Sequence, residues 1–289
     1  MPSDLSKSEL QRLRGRDWPA VREAWLSFMP VFPKLGALPD PSSDSLLEVQ
    51  GFSPPEDKPV RLEQIAGIRS AALWEAVCLY QKAKHTSVAA RDLLNSGFQT
   101  WSLFNFYHSA YLAAKGTMYL LGVTVPLVQS KRCILDIFAS PEDDRNGKKI
   151  TAEALTDFVA IPVPGLDQHQ LWAWFQRLLA STRSVPWDRA LAREVHLITE
   201  SRDFVRQRNY LLYRPGKWIA DDLLSPLQTP WAIPPRDGLN TEDPDFLAGL
   251  CNHVHSIFDS ALVDLSTISA PIRHQMNAAL GNVAGDSSN

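Results

Sequence analysis

The sequence predicts an all-α protein, a helical bundle with a proline-rich N-terminal extension and loop insertions. Three observations carry that expectation. Apolar residues recur at helical spacing over long stretches, few β-branched runs compete with them, and the prolines crowd into two zones. Nine of the 21 prolines precede residue 60 and six more fall between 215 and 244. The middle of the chain is left to helices.

Near the start, "DWPAVREAWLSFM" sets Asp17 before a first-turn proline, Pro19, which predicts a short helix. Residues 39–59 read as linker. Helices are expected over 61–84, 87–96 running on or kinking into 98–121, 130–139, 167–181, 187–213, 244–268 and 271–280. Ser87, Ser130, Asp167 and Asp243 are candidate caps, and Gly122 and Gly216 stand where helices should stop. The segment 141–166 is polar and then proline-broken, as an insertion between bundle helices would be. The ending "GNVAGDSSN" is small and polar, the composition of a disordered tail. The expected organisation is therefore an extension over 1–60, a main domain over 61–280 with a proline-rich loop at 215–243, and a tail over 281–289.

The helix over 98–121 should be the centre of the bundle. Phe104, Tyr107, Tyr111, Ala114, Met118 and Leu121 form one apolar stripe, and Leu103, Phe106, Ala110, Ala113 and Leu120 form a second beside it. So wide an apolar arc must be covered on more than one side. Asn105, His108 and Lys115 interrupt the stretch and argue against a membrane span. His108 lies on the polar side, where it could reach a cleft.

Composition excludes several function classes. With 29 basic and 32 acidic residues the net charge is −3, so no global basic field draws in nucleic acid and any such partner must be held locally. The three cysteines, Cys78, Cys133 and Cys251, are odd in number and widely spaced, which suggests neither a disulfide framework nor a zinc site. A reducing cytoplasm fits them, and the N-terminus has no apolar signal core. Cys251 and His255 are four apart, but no second pair has metal-ligand spacing, so no metal is expected. Phosphate-loop, dinucleotide-binding, nucleophile-elbow and HExxH motifs are missing, and no cofactor is expected.

The stretch "RDFVRQRNYLLYRPGKW", residues 202 to 218, is the chemical exception. Arg202, Arg206, Asn209 and Tyr213 fall within an arc of roughly 60° on an ideal helix. Between 189 and 217, Arg214, Lys217 and five further arginines face only Glu194, Glu200 and Asp203, a local positive excess that can hold phosphate. The same strip can instead be a structural network, with Glu200 and Asp203 pairing nearby arginines, or a protein interface. Both readings stand. Acidic residues dominate 236–264, where Asp237, Glu242, Asp243, Asp245, Asp259 and Asp264 form either a solvated face or a surface complementary to a basic partner.

The aromatic helix "LFNFYHSAYLAAKGTMYLLG" followed later by "RNYLLY" resembles the HEPN superfamily of helical-bundle domains. The resemblance covers about residues 61–268. It implies a motif of Arg, a polar residue often Asn, several variable positions and His, brought together in a cleft between paired protomers. Active members are metal-independent endoribonucleases of toxin and anti-phage systems. Carried over, Arg208 matches the motif arginine and Asn209 the polar position, while Tyr213 stands where the histidine would be. A phenol, with a reference pKa of about 10, is a poor general base near neutrality. On this resemblance Arg208, Asn209 and Tyr213 are the candidate catalytic residues, and Arg202, Arg206, Arg214, Lys217 and His108 would contact RNA or a nucleotide. A homodimer or a partner protein of the same system is implied. The alternative is a non-catalytic scaffold or partner-binding subunit.

Overall fold

The computed structural model describes residues 16–28, 42–62, 65–139, 157–163, 167–200 and 244–268. Seven helices are seen among them: α1 (Trp18–Phe28), α2 (Ser43–Val49), α3 (Ile68–Asn95), α4 (Gln99–Leu120), α5 (Gln168–Ser181), α6 (Arg189–Glu200) and α7 (Pro244–Ile268). Five strands accompany them: β1 (Val60–Leu62), β2 (Val123–Thr124), β3 (Leu127–Val128), β4 (Lys131–Ala139) and β5 (Asp157–Pro162). The described residues are mostly helical, but the fold is not all-α.

Small residues at heptad spacing set the centre of the fold. Ala76, Ala83 and Ala90 of α3 oppose Gly116, Ser109 and Ser102 of the antiparallel α4. Ser102 Oγ donates to the Ala90 carbonyl at 2.8 Å and Ser109 Oγ to the Ala83 carbonyl at 2.6 Å. Such bonds require close backbones, which only small side chains at the crossing permit. At Gly116 the opposing carbonyl of Ala76 would lie 3.4 Å from an added Cβ. The turn between the helices uses Gly97 at φ 82°, and Phe98 N bonds back to the Leu93 carbonyl at 2.8 Å.

Helix α7 lies along the same groove, with Cys251 against Ser109 and Phe258 against Gly116. An added Cβ at Gly116 would sit 2.8 Å from Phe258 Cζ, so the glycine admits the ring. Tyr107, on another side of α4, bonds Gln168 of α5 at 2.9 Å. Covering of α4 on several sides, expected from its wide apolar arc, is thus observed. Within the two stripes, however, Phe104 and Tyr111 are only half-buried.

Several expected features are corrected. Residues 131–139 form strand β4 rather than a helix, in an antiparallel sheet of order β1-β5-β4-β2, with β3 paired to β4. The run from Cys133 to Ala139 is buried on both faces, so it lacks the alternation that marks a half-exposed strand, and a continuous apolar run reads equally as helix. Ser130 is not a cap: with Gln129 at φ 51° and Ser130 at φ 62°, the pair forms the two-residue turn between β3 and β4. Likewise α3 passes unbroken through Ser87, which is buried, because the adjoining apolar residues continue one face. Part of the segment 141–166 is strand β5, and α2 lies within the stretch read as linker. Asp167 does cap α5, in a reciprocal capping box with Gln170.

The N-terminal residues join this core. Trp25 Nε1 donates to the Leu120 carbonyl at 2.8 Å, and Trp18 Nε1 to Asp264 at 2.7 Å. Arg16 donates to the Leu121 carbonyl and pairs with Asp136 of β4 at 2.5 Å, both side chains being 5% exposed. One buried ion pair ties the start of the described chain to the end of α4 and the sheet.

A second polar knot lies between α3, α4 and α7. The single hydrogen of Ser109 goes to the Ala83 carbonyl, so its 2.9 Å contact with His255 Nε2 must be donated by the imidazole. The Cys251 thiol donates to the same oxygen at 3.3 Å. Ser109 is therefore a satisfied acceptor, not an activated nucleophile. Burial, reinforced by Lys84, pushes the His255 pKa down to about 4, while Asp259 opposes the shift.

The unfolded imidazole binds a proton near pH 6.5 and the folded one only near 4, so stability falls as pH drops through that window. Between pH 7.5 and 4.5 this one group should remove about 2 to 3 kcal/mol. Urea unfolding of wild type and His255→Gln at the two pH values checks it. The variant should lose that much less on acidification, and equal losses would place the imidazole in a solvated setting.

Candidate functional site

Of the eight residues singled out for catalysis or nucleic-acid contact, the described residues include His108 alone. Arg202, Arg206, Arg208, Asn209, Tyr213, Arg214 and Lys217 lie outside the described residues, as do Gly216, Asp243 and the helix expected over 271–280. The local charge that brings out the strip can be examined at its N-terminal end. Glu194 of α6 faces His253 of α7 at 3.3 Å. Its carboxylate is turned toward α7.

The neighbouring acidic stretch is partly spent within the chain. Asp259 accepts from Tyr80 and pairs with Lys84 at 3.0 Å, and Asp264 pairs with Arg22 at 3.2 Å as well as binding Trp18. Burial and that carboxylate both push the Tyr80 phenol well above its ordinary range. The role of Asp259 and Asp264 is therefore to fasten α7 to α3 and α1. Of the others, Asp237, Glu242 and Asp243 lie outside the described residues.

His108 belongs to an aromatic stripe along α4. The rings of Phe104 and His108 are near-parallel, 12° apart with centroids at 5.9 Å, and those of His108 and Tyr111 are 16° apart at 6.4 Å. Trp101 meets Phe104 edge-on at 6.5 Å and is 44% exposed. The spacing 101, 104, 108, 111 is the i, i+3, i+7, i+10 pattern of one helix face. Sequence reading assigned Phe104 and Tyr111 to the core and left Trp101 aside. The position of His108 within that spacing was the available sign that this face is not core.

Lys115 extends the stripe by one further turn. Its ammonium lies 5.5 Å from the Tyr119 ring centroid and makes no hydrogen bond or ion pair with the described residues. Burial lowers its pKa, while Glu75 and Asp44 pull the other way. Those two carboxylates are otherwise engaged. Glu75 accepts from Ser43 N at 2.6 Å and Ser43 Oγ at 2.8 Å, and Asp44 from Leu127 N at 3.0 Å. Burial raises the pKa of both.

Among the described residues no cluster of three or more His, Cys, Asp or Glu side chains could hold a metal ion, and no helix is long and apolar enough to cross a membrane. Cys251 and His255, the pair with ligand spacing, converge on Ser109.

No curated protein and no solved structure matches the chain. The HEPN domain model matches residues 76–156, a stretch that takes in most of α3, all of α4 and strands β2 to β4 and ends before the arginine strip. Over residues 76–156, which include the close-packed pair α3 and α4, the chain is similar to HEPN domains.

Proposed function

We propose that the chain is an RNA-directed HEPN component of a bacterial toxin or anti-phage system, working as paired copies or with a partner protein. The observation that carries this reading is the HEPN match over the α3–α4 hairpin. The placement of His108 in a half-buried aromatic stripe of that hairpin supports it, and so does the local excess of basic residues between 189 and 217.

In this reading Arg202, Arg206, Arg214 and Lys217 hold phosphates. Where cleavage occurs, Arg208, helped by Arg206, stabilises charge on the phosphate while the ribose 2′-hydroxyl attacks the adjacent phosphorus. The P–O bond to the next nucleotide breaks, leaving a cyclic phosphate and a 5′-hydroxyl. Asn209 orients the phosphate. Tyr213, with a phenol in place of the motif imidazole, orients or stacks but removes a proton slowly at neutral pH.

Arg206→Ala and Arg208→Ala should each weaken RNA binding and flatten its salt dependence, as loss of one phosphate contact does. Tyr213→His should create or raise ribonuclease activity with cyclic-phosphate products, because it restores a group that titrates near pH 7. Binding is read by fluorescence anisotropy and cleavage by product end-group analysis. If all three folded variants match wild type in both assays but lose self-association, the strip is a protein interface and the RNA reading fails.

A further inference from the structure

Helix α6 turns one side to the core and leaves two arginines on the other. Val195 and Thr199 are buried, with Leu191 and Ala192 packed beside them, and Gln176 of α5 donates to Thr199 Oγ1. On the opposite side Arg189 and Arg193 are exposed, four apart and within about 40° of arc. Arg183, also exposed, precedes the helix in the connection from α5. None of these three guanidinium groups forms an ion pair with the described residues. The nearby carboxylates are engaged elsewhere: Asp188 accepts the Ala190 amide at 2.8 Å and Glu194 faces His253 at 3.3 Å. Glu200 stands two turns beyond Arg193. Arg189 also lies in the first turn, where the helix dipole disfavours a cation. Packing and helix stability therefore account for neither arginine of α6, whereas an anion laid along this side would.

We infer that the outer side of α6 is a phosphate track for single-stranded RNA, in which Arg183, Arg189 and Arg193 hold backbone phosphates beyond those at the 202–218 strip. The inference rests on the RNA reading above and deepens it by naming a surface that lengthens the bound strand. Helix α6 ends at Glu200, two residues before Arg202, so the track and the strip are neighbours in the chain. Arg189 and Arg193 are separated by roughly 6 Å along the helix axis, close to the separation of neighbouring phosphates in an extended strand. A single row of cations follows a single backbone. Guanidinium groups bind phosphate through paired hydrogen bonds and read no base, so the track adds affinity without adding sequence choice.

The test uses the full chain and fluorescein-labelled oligouridylates of about 6 and about 16 nucleotides, within the range of single-strand site sizes. Wild type should bind the longer strand more tightly. Replacing both arginines of α6, as Arg189→Gln with Arg193→Gln, should reduce the salt slope for the longer strand by about 1.4, the share of two phosphate contacts. Between about 50 and 200 mM salt wild type should then lose roughly sevenfold more affinity than the double variant. The shorter strand, which the 202–218 strip can hold by itself, should bind both proteins alike. Arg183→Gln should reduce the slope for the longer strand by about 0.7. Lys82→Gln, which removes an exposed cation of α3, should bind both strands as wild type. Circular dichroism establishes that each variant is folded. Equal losses in Lys82→Gln and the double variant would show that only overall charge matters, and the track is overturned. If the double variant matches wild type on the longer strand while Arg206→Ala and Arg208→Ala bind more weakly, RNA binding stands and the track is again overturned. If wild type binds neither oligonucleotide, the RNA reading and the track fall together.

Discussion

Gly122→Ala should destabilise the protein by about 2 to 5 kcal/mol, the combined cost of a left-handed backbone for a residue with a Cβ and of overpacking. Gly122 ends α4 at φ 77°, and an added Cβ would stand 2.3 Å from Phe138 Cδ2 and 3.2 Å from an Arg16 nitrogen. The Phe138 ring has little room to withdraw: it is edge-on to Trp25 at 4.7 Å and lies under the Arg69 guanidinium at 5.1 Å. Gly51 supplies the control, because it has φ 69° but nothing within 4 Å of an added Cβ. Gly51→Ala should therefore show only the backbone term, about 1 to 2 kcal/mol. Urea unfolding midpoints measure both, and equal losses would show that the Phe138 contact relaxes freely.

Asp136→Ala should cost about 3 to 5 kcal/mol, because it leaves the Arg16 guanidinium buried without its carboxylate. Asp136 also accepts the Phe138 amide at 3.0 Å, so one substitution opens both the ion pair and the bulged end of β4. The pair itself need not be the source of that stability. Replacing both residues, as Arg16→Met with Asp136→Ala, should recover much of the loss, since no buried charge then remains. A double variant less stable than Asp136→Ala would mean that the carbonyl bond from Arg16 to Leu121 matters more than the ion pair.

The long helices were legible because their signals are local. The capping box at Asp167 and the glycine at 122 mark true ends, and the boundaries of α4 and α7 follow their apolar periods. The sheet was not legible for a physical reason: Cys133 to Ala139 is buried on both faces, and its partner β5 is a short run ending in Pro162. What makes them strands is their pairing with each other. The heptad match of Ala76, Ala83 and Ala90 with Gly116, Ser109 and Ser102 was present in the sequence but acquires meaning only once α3 and α4 are antiparallel.

The candidate site divides in the same way. His108 stands out in sequence as a histidine on an apolar helix, but its meaning depends on which side of α4 the other helices cover. Tyr107 is turned to α5 and Ser109 to α7, and Trp101, Phe104, His108 and Tyr111 share a different face. The arginine strip is the reverse case. Its composition and spacing can be read directly, whereas its partners cannot be derived from a helical wheel.

Ultraviolet cross-linking of the full chain to single-stranded RNA, followed by mapping of the modified peptides, tests the central claim most directly. RNA adducts should concentrate in residues 202–218 and should decline as salt is raised, because phosphate contacts hold the strand there. Adducts confined to the α3–α7 side around Lys84 and Asp259, or the absence of any adduct at low salt, would contradict the account.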